Sequence, residues 1–366
     1  MPATRAVATV AQLSSFDEII DVRTPSEFAE DHVPGAVNRP VLSDEERARI
    51  GTLHKQVSAF TGRKVGAALV SRNIAGHLEA SFMEKPKSWR PLVYCWRGGK
   101  RSEAMVHILR EIGWDAHRLE GGYKAYRRTV VADLPQLARG CGFRVVCGLT
   151  GSGKSRLLET LERLGAQVLD LERLAAHRGS VLGNLPGEPQ PAQKMFESRI
   201  WWRLRTFDDK FPVFVESESK RIGALQVPEQ LMEAMRESAC VRVEIGIETR
   251  VQLLLEQYAH FLADPAALGR QLDCLAQLHG RAAIERWKAL AQRREWDALV
   301  RELLERHYDP AYTRSIASHY QQMPLARAIE ITAPDDASFA TAAKALIEDL
   351  ALPVGQVDRN SSVDSA

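Results

Sequence analysis

The sequence predicts two consecutive α/β domains built on parallel sheets, the second carrying a helical carboxyl-terminal extension. Three observations carry that prediction. Apolar runs of strand length alternate with stretches of helical period in both halves of the chain. Each half contains a glycine-rich loop between a strand pattern and a helix pattern. At 366 residues the chain exceeds one compact core of common size.

In the first half, Asp17-Glu-Ile-Ile-Asp-Val22 reads as a short strand. Thr24 or Ser26 then caps a helix with Glu27 in its first turn. His32-Val-Pro-Gly35 gives a turn, and residues 43–82 have helical periodicity with few breakers. Pro91-Leu-Val-Tyr-Cys95 is a buried-strand pattern, Ser102–Ile112 an amphipathic helix, and Trp114–Leu119 one more strand. Asp133-Leu-Pro and Gly140-Cys-Gly suggest a linker, placing the first domain at 1–130 and the linker at 131–142.

The second α/β domain, 143–245, opens with the strand Phe143-Arg-Val-Val-Cys147 and a helix over Ser155–Leu164. Gln167-Val-Leu-Asp170 and Phe211-Pro-Val-Phe-Val215 read as strands meeting carboxylates at their ends. The extension covers 246–352, with almost unbroken helix over 247–308, and 353–366 reads as a disordered tail.

Composition bounds the function without choosing it. Hydrophobic content of 45% and charged content of 26% are ordinary for a globular protein. No apolar run approaches the roughly 18 residues that span a bilayer, and the amino-terminal stretch lacks a cleavage-site pattern. Five cysteines without regular spacing make neither a disulfide framework nor a zinc site. A reducing, cytoplasmic setting is therefore expected, with no membrane, zinc or flavin. A net charge of +2 does not by itself advertise nucleic acid.

Cys95 ends a strand, and Arg101-Ser102 opens a helix. Backbone amides of such a loop converge on an anion, and the helix start adds positive potential. Arg97, Lys100 and Arg101 strengthen that field, favouring thiolate over thiol. The alternative is a small buried residue at a strand end, which the Gly-Gly-Lys-Arg-Ser continuation disfavours.

Gly148-Leu-Thr-Gly151-Ser152-Gly153-Lys154-Ser155 lies between a strand and a helix, the context of a P-loop. Its glycines let the backbone wrap a diphosphate, Lys154 reaches the outer oxygens, and the Ser155 hydroxyl can hold Mg²⁺. The motif reads diphosphate rather than base. The strand that should end in a metal-binding Asp ends instead in Glu216. Asp170 either supports an acceptor or caps the following helix. His177-Arg178-Gly179-Ser180 either orients an anion or forms a helix end closed by Gly179. Arg199, Trp201, Trp202, Arg203 and Arg205 interleave charge with aromatic faces, a mixture suited to RNA. Helical spacing offers another reading, with a tryptophan in the core and solvated arginines.

Asp21-Val-Arg23, Glu27-Phe28, His32-Val-Pro-Gly35-Ala, Asn38 and the Cys95 loop resemble the rhodanese family. The sulfurtransferases of that family usually place four residues between cysteine and arginine; Cys95 and Arg101 enclose five. The longer loop resembles the phosphatase branch of the fold, whose cradle admits a phosphate-sized group.

With the P-loop domain, the whole pattern resembles the bacterial tRNA 2-selenouridine synthases. Further matching stretches are Asp170–Ser180, Glu216–Gly223 and His307-Tyr-Asp-Pro-Ala-Tyr312. The resemblance implies a rhodanese-like domain followed by a P-loop NTPase-like domain. It also implies conversion of wobble 2-thiouridine to 2-selenouridine in tRNAs for Lys, Glu and Gln. Selenophosphate would be the donor, and geranyl diphosphate would form an S-geranyl intermediate. An ATP-dependent tRNA sulfurtransferase using a Cys95 persulfide is one alternative, and a phosphatase–kinase fusion acting on a small phosphometabolite is another. A non-enzymatic RNA-binding module is hard to square with intact Cys95, Arg101, Lys154 and Ser155.

Overall fold

The computed structural model describes residues 6–350. The tail expected at 353–366 lies outside the described residues. By its contacts the chain forms two units, Met1–Leu137 with Pro191–Trp202, and Ala138–Gln190 with Arg203–Ala366.

The first unit runs β1 (Val7–Ala8), β2 (Glu18–Asp21), α1 (Pro25–Glu30), β3 (Val37–Asn38), α2 (Asp44–Gln56), α3 (Ala59–His77), β4 (Pro91–Tyr94), α4 (Lys100–Ile112), β5 (His117–Leu119) and α5 (Gly122–Gly140). Its five strands are all parallel, in the order β1-β5-β4-β2-β3. Thr24 caps α1, accepting the Glu27 amide while the Glu27 carboxylate accepts the Thr24 amide at 3.0 Å. Ile20, Val22, Val93, Met105 and Leu109 pack together on one side of the sheet.

The segment expected to be a linker is instead the second half of α5. Tyr126, Val130, Leu134 and Ala138 recur every four residues and are all buried. That stripe carries the helix through Pro135, which had read as a breaker.

The second unit holds β6 (Phe143–Cys147), α6 (Lys154–Arg163), β7 (Gln167–Leu169) and α7 (Leu171–Leu174). Helix α8 (Gln193–Leu204) follows, and its residues through Trp202 group with the first unit. The boundary expected at 143 therefore leaves out Pro191–Trp202, which group with the first unit. Next come β8 (Val213–Glu216), the small antiparallel hairpin β9 (Arg221–Ile222) and β10 (Leu225–Gln226), α9 (Glu229–Glu237) and β11 (Ala239–Glu244).

The stretch 247–308 is helical almost throughout, as expected, but divided into α10 (Ile247–Gln257), α11 (Ala259–Ala263), α12 (Pro265–Leu272), α13 (Ala276–Gln292) and α14 (Trp296–Leu303); α15 (Asp309–His319) follows. Asp264 caps α12 with Pro265 at its first position, and Gly280 kinks α13.

The extension is also not purely helical. β12 (Arg327–Glu330) pairs in parallel with β11, completing the order β12-β11-β6-β8-β7. α16 (Asp336–Leu350) puts Phe339, Ala342, Ala343 and Leu346 into the core that α6 shares through Leu157, Leu158 and Leu161. An edge strand as short and polar as Arg327-Ala-Ile-Glu330 gives little period-2 signal. Among the described residues no helix is long and apolar enough to cross a membrane.

Candidate active site

In the first unit, Cys95 follows β4 and is buried, 3% exposed. The Gly99 amide and the Ser102 hydroxyl each donate to its Sγ at 3.2 Å. Both donors sit at the start of α4, so the sulfur meets a helix N-terminus, as the loop pattern predicts. The loop is clamped from behind. Tyr123 and Lys124 amides donate to the carbonyls of Cys95 and Trp96 at 2.9 and 3.0 Å. Gly122 allows this approach: a Cβ there would lie 2.2 Å from the Cys95 carbonyl oxygen, at a φ of +59°.

The residues Asp21 and Arg23 brace the same loop. They form a buried pair at 2.6 Å, and the Arg23 guanidinium lies 4.0 Å from the Tyr123 ring centroid. Arg101 differs from expectation, because its guanidinium is paired with Glu27 at 2.9 Å. Its charge is thus shared with the cap of α1. Arg97 and Lys100 are exposed.

In the second unit, Gly148 to Ser155 wrap from the end of β6 into α6. Gly151 and Gly153 take φ of +77° and +76°, and a Cβ on Gly153 would lie 2.5 Å from the Phe339 ring. Lys154 Nζ donates to the Gly148 carbonyl at 2.7 Å. Ser152 is buried, with an unpartnered hydroxyl. The Ser155 hydroxyl donates to Glu172 at 2.9 Å, and the Glu172 amide donates to Glu216 at 2.7 Å. The second Glu216 oxygen is buried without a partner.

This cluster has unusual protonation. Burial lowers the Lys154 pKa, opposed chiefly by Glu172 and Glu218. Burial raises Glu172 and lifts Glu216 well above the usual carboxylate range, with Asp170 and Glu172 adding repulsion. Glu218 is pushed up to about 8, by burial first and Glu172 second. Packing carboxylates around one lysine in low dielectric holds part of them neutral.

A cleft of about 880 Å³ opens over the loop, lined among others by Lys154, Ser155, Glu172, Arg178, Glu218 and Tyr312. Among the described residues no group of three or more His, Cys, Asp or Glu is arranged to hold a metal ion.

Both loops lie within stretches that match known domains. Residues 141–272 match the tRNA 2-selenouridine synthase AAA domain, and residues 6–129 match the rhodanese-like domain. The tRNA 2-selenouridine synthase of Aeromonas salmonicida is 32% identical over 334 residues, covering 83% of this chain and 89% of that protein. The chain belongs to the tRNA 2-selenouridine synthase family. The Alcanivorax borkumensis member is 33% identical, over 80% of this chain and 88% of that one. The Nitrosomonas europaea member is 36% identical over 66% of this chain, and the match spans 63% of that relative's length.

Against that family frame the remaining candidates divide. Asp170 takes the capping alternative, accepting the Arg173 amide at 2.8 Å, while also lining the cleft. His177 is buried and organises its own loop, its Nδ1 accepting the Gly179 amide at 3.1 Å. α7 ends at Leu174, so Gly179 does not close that helix. Trp201 is a correction. It is fully buried edge-on against Tyr126, and its indole N–H donates to Asp133 at 3.3 Å. No base can stack there. Trp202 is half-buried, and Arg203 is ion-paired with Glu162. Arg199 is half-buried and Arg205 exposed, and both have partners of their own.

Sequence reasoning missed Glu172, Glu218 and Arg250 as parts of the site. Arg250 is buried, donates to the Thr150 carbonyl at 2.9 Å and holds Asp309 through two hydrogen bonds. Inside a Leu-, Arg- and Glu-rich helical stretch, nothing distinguishes it from its neighbours.

Proposed function

We propose that this protein converts wobble 2-thiouridine of tRNAs for Lys, Glu and Gln into 2-selenouridine, through an S-geranyl intermediate. The observation that carries this reading is a helix-start thiol cradle and a lysine-bearing phosphate loop kept together in a chain of this family.

Geranyl diphosphate binds with its head in the P-loop. The loop amides and Lys154 stabilise the negative charge that grows on pyrophosphate as the C1–O bond breaks. The thiocarbonyl sulfur of the uridine forms the new bond to C1, and the ring gives up its N3 proton. Alkylation turns a poor leaving group into a good one. Glu218, pushed up to about 8, holds a proton near neutral pH and so limits repulsion of the incoming diphosphate. Ser155 and Glu172 offer oxygen donors of the kind Mg²⁺ takes alongside phosphates. Bound there, Mg²⁺ would offset diphosphate charge.

Selenium from selenophosphate then attacks C2, and geranylthiolate departs. Water cleaves the remaining Se–P bond to release phosphate and leave the selenocarbonyl. Cys95 positions the selenium, and the exposed Arg97 and Lys100 offer charge to the donor's phosphate. The test is nucleoside mass spectrometry on thiolated tRNA incubated with purified protein, geranyl diphosphate and selenophosphate, each co-substrate omitted in turn. S-geranyl-2-thiouridine without selenophosphate, and 2-selenouridine with both, is the expected pattern. ATP-dependent conversion indifferent to geranyl diphosphate would favour a sulfur relay instead.

A further inference from the structure

Beside the polar cleft lies a second space of about 70 Å³, set among α10, α11, α12 and α14. Its wall is nearly all hydrocarbon, including Leu255, Phe261, Leu268, Leu299 and Leu303. Thr150, Ser180, Leu254, Tyr258 and Tyr308 line both this cavity and the cleft. Thr150 belongs to the phosphate loop itself, so the two spaces adjoin beside that loop. The shared boundary is polar. The Arg178 guanidinium lies 4.9 Å from the Tyr258 ring centroid, and the Ser180 and Tyr258 hydroxyls are 3.3 Å apart.

A nucleobase entering such a cavity would lose its water hydrogen bonds and find almost no replacements. A hydrocarbon loses nothing polar, and each buried methylene gains roughly fourfold in affinity. We propose that the cavity receives the distal end of the hydrocarbon tail of the diphosphate ester gripped by the loop. Phe261, Leu268 and Leu299, which line the cavity but not the cleft, set the tail length accepted. An apolar cavity of roughly 150 Å³ takes a benzene ring, so this one admits a chain end and disfavours longer tails. The proposal rests on the reading that the loop binds a prenyl diphosphate. It also gives the Arg178–Ser180 segment a place, at the polar rim.

The test is calorimetric titration of the full chain with inorganic pyrophosphate and with dimethylallyl, geranyl and farnesyl diphosphates. Wild type should bind geranyl diphosphate at least tenfold more tightly than pyrophosphate. Leu299→Phe, which fills the cavity, should remove that advantage while pyrophosphate affinity stays within twofold. Phe261→Ala, which enlarges it, should shift preference toward farnesyl diphosphate by at least fivefold, a gain that misfolding cannot produce. If wild type prefers geranyl diphosphate but both variants keep the wild-type chain-length profile, the tail lies elsewhere and only this proposal falls. If wild type binds pyrophosphate and geranyl diphosphate equally, the functional reading falls with it.

Discussion

The Gly148 amide donates to the Tyr312 hydroxyl at 2.6 Å, joining the first glycine of the phosphate loop to α15. The same hydroxyl is 3.0 Å from Ser217 Oγ, and Lys154 Nζ lies 5.4 Å from the Tyr312 ring centroid. A residue far along the chain thus fixes the backbone of the phosphate loop. Tyr312→Phe leaves the Gly148 amide without this partner and should cost about 1–3 kcal/mol of stability. Urea denaturation measures it; an unchanged midpoint would show the contact to be dispensable.

Arg250 supplies a second brace, holding the Thr150 carbonyl and the Asp309 carboxylate from a buried position. Asp309→Ala should destabilise the protein by about 3–5 kcal/mol, because it strands a buried guanidinium. The paired change Arg250→Met with Asp309→Leu should recover much of that loss. Thermal denaturation of both variants separates a stranded charge from lost packing.

Glu218 gives the site a pH dependence. Its ordinary value is 4.5 and its folded value is about 8. Between these limits the folded chain holds a proton that the unfolded chain has released. Stability from this group is therefore full below 4.5 and lost as pH rises toward 8. Pyrophosphate affinity should also weaken above pH 8, when Glu218 becomes anionic beside Lys154. Glu218→Gln should flatten both profiles, with its largest gain in melting temperature at pH 8–9. A wild-type profile retained by that variant would place the titration elsewhere.

Both loops were legible because each is a local strand–loop–helix pattern with the residue types of an anion-binding loop. The start of α1 was legible as well, with Thr24 rather than Ser26 as its cap. Long-range partnerships were not. Glu172 and Glu218 meet Lys154 only because β7 and β8 end side by side in one parallel sheet. The pairing of Arg101 with Glu27 depends on α1 and α4 meeting, which neither local pattern encodes. Asp133-Leu-Pro read as a linker because local breakers outweighed the buried stripe of α5.

Trp201 shows how composition misleads. Basic residues around two tryptophans resemble an RNA face, yet the indole is in the core against Tyr126. Trp201→Ala should cost about 3–5 kcal/mol of stability. Trp201→Phe should leave tRNA affinity within twofold in filter binding. A tenfold loss with an unaltered melting temperature would restore the stacking role.

The most direct measurement follows nucleosides by mass spectrometry in thiolated tRNA treated with Cys95→Ser and Lys154→Ala proteins. Cys95→Ser should form S-geranyl-2-thiouridine at near wild-type yield and no 2-selenouridine. Lys154→Ala should slow geranylation at least a hundredfold, yet still selenate tRNA that was geranylated beforehand. Loss of both steps in both folded variants, or geranylation that survives Lys154→Ala unchanged, would contradict the division of labour between sulfur and phosphate loop.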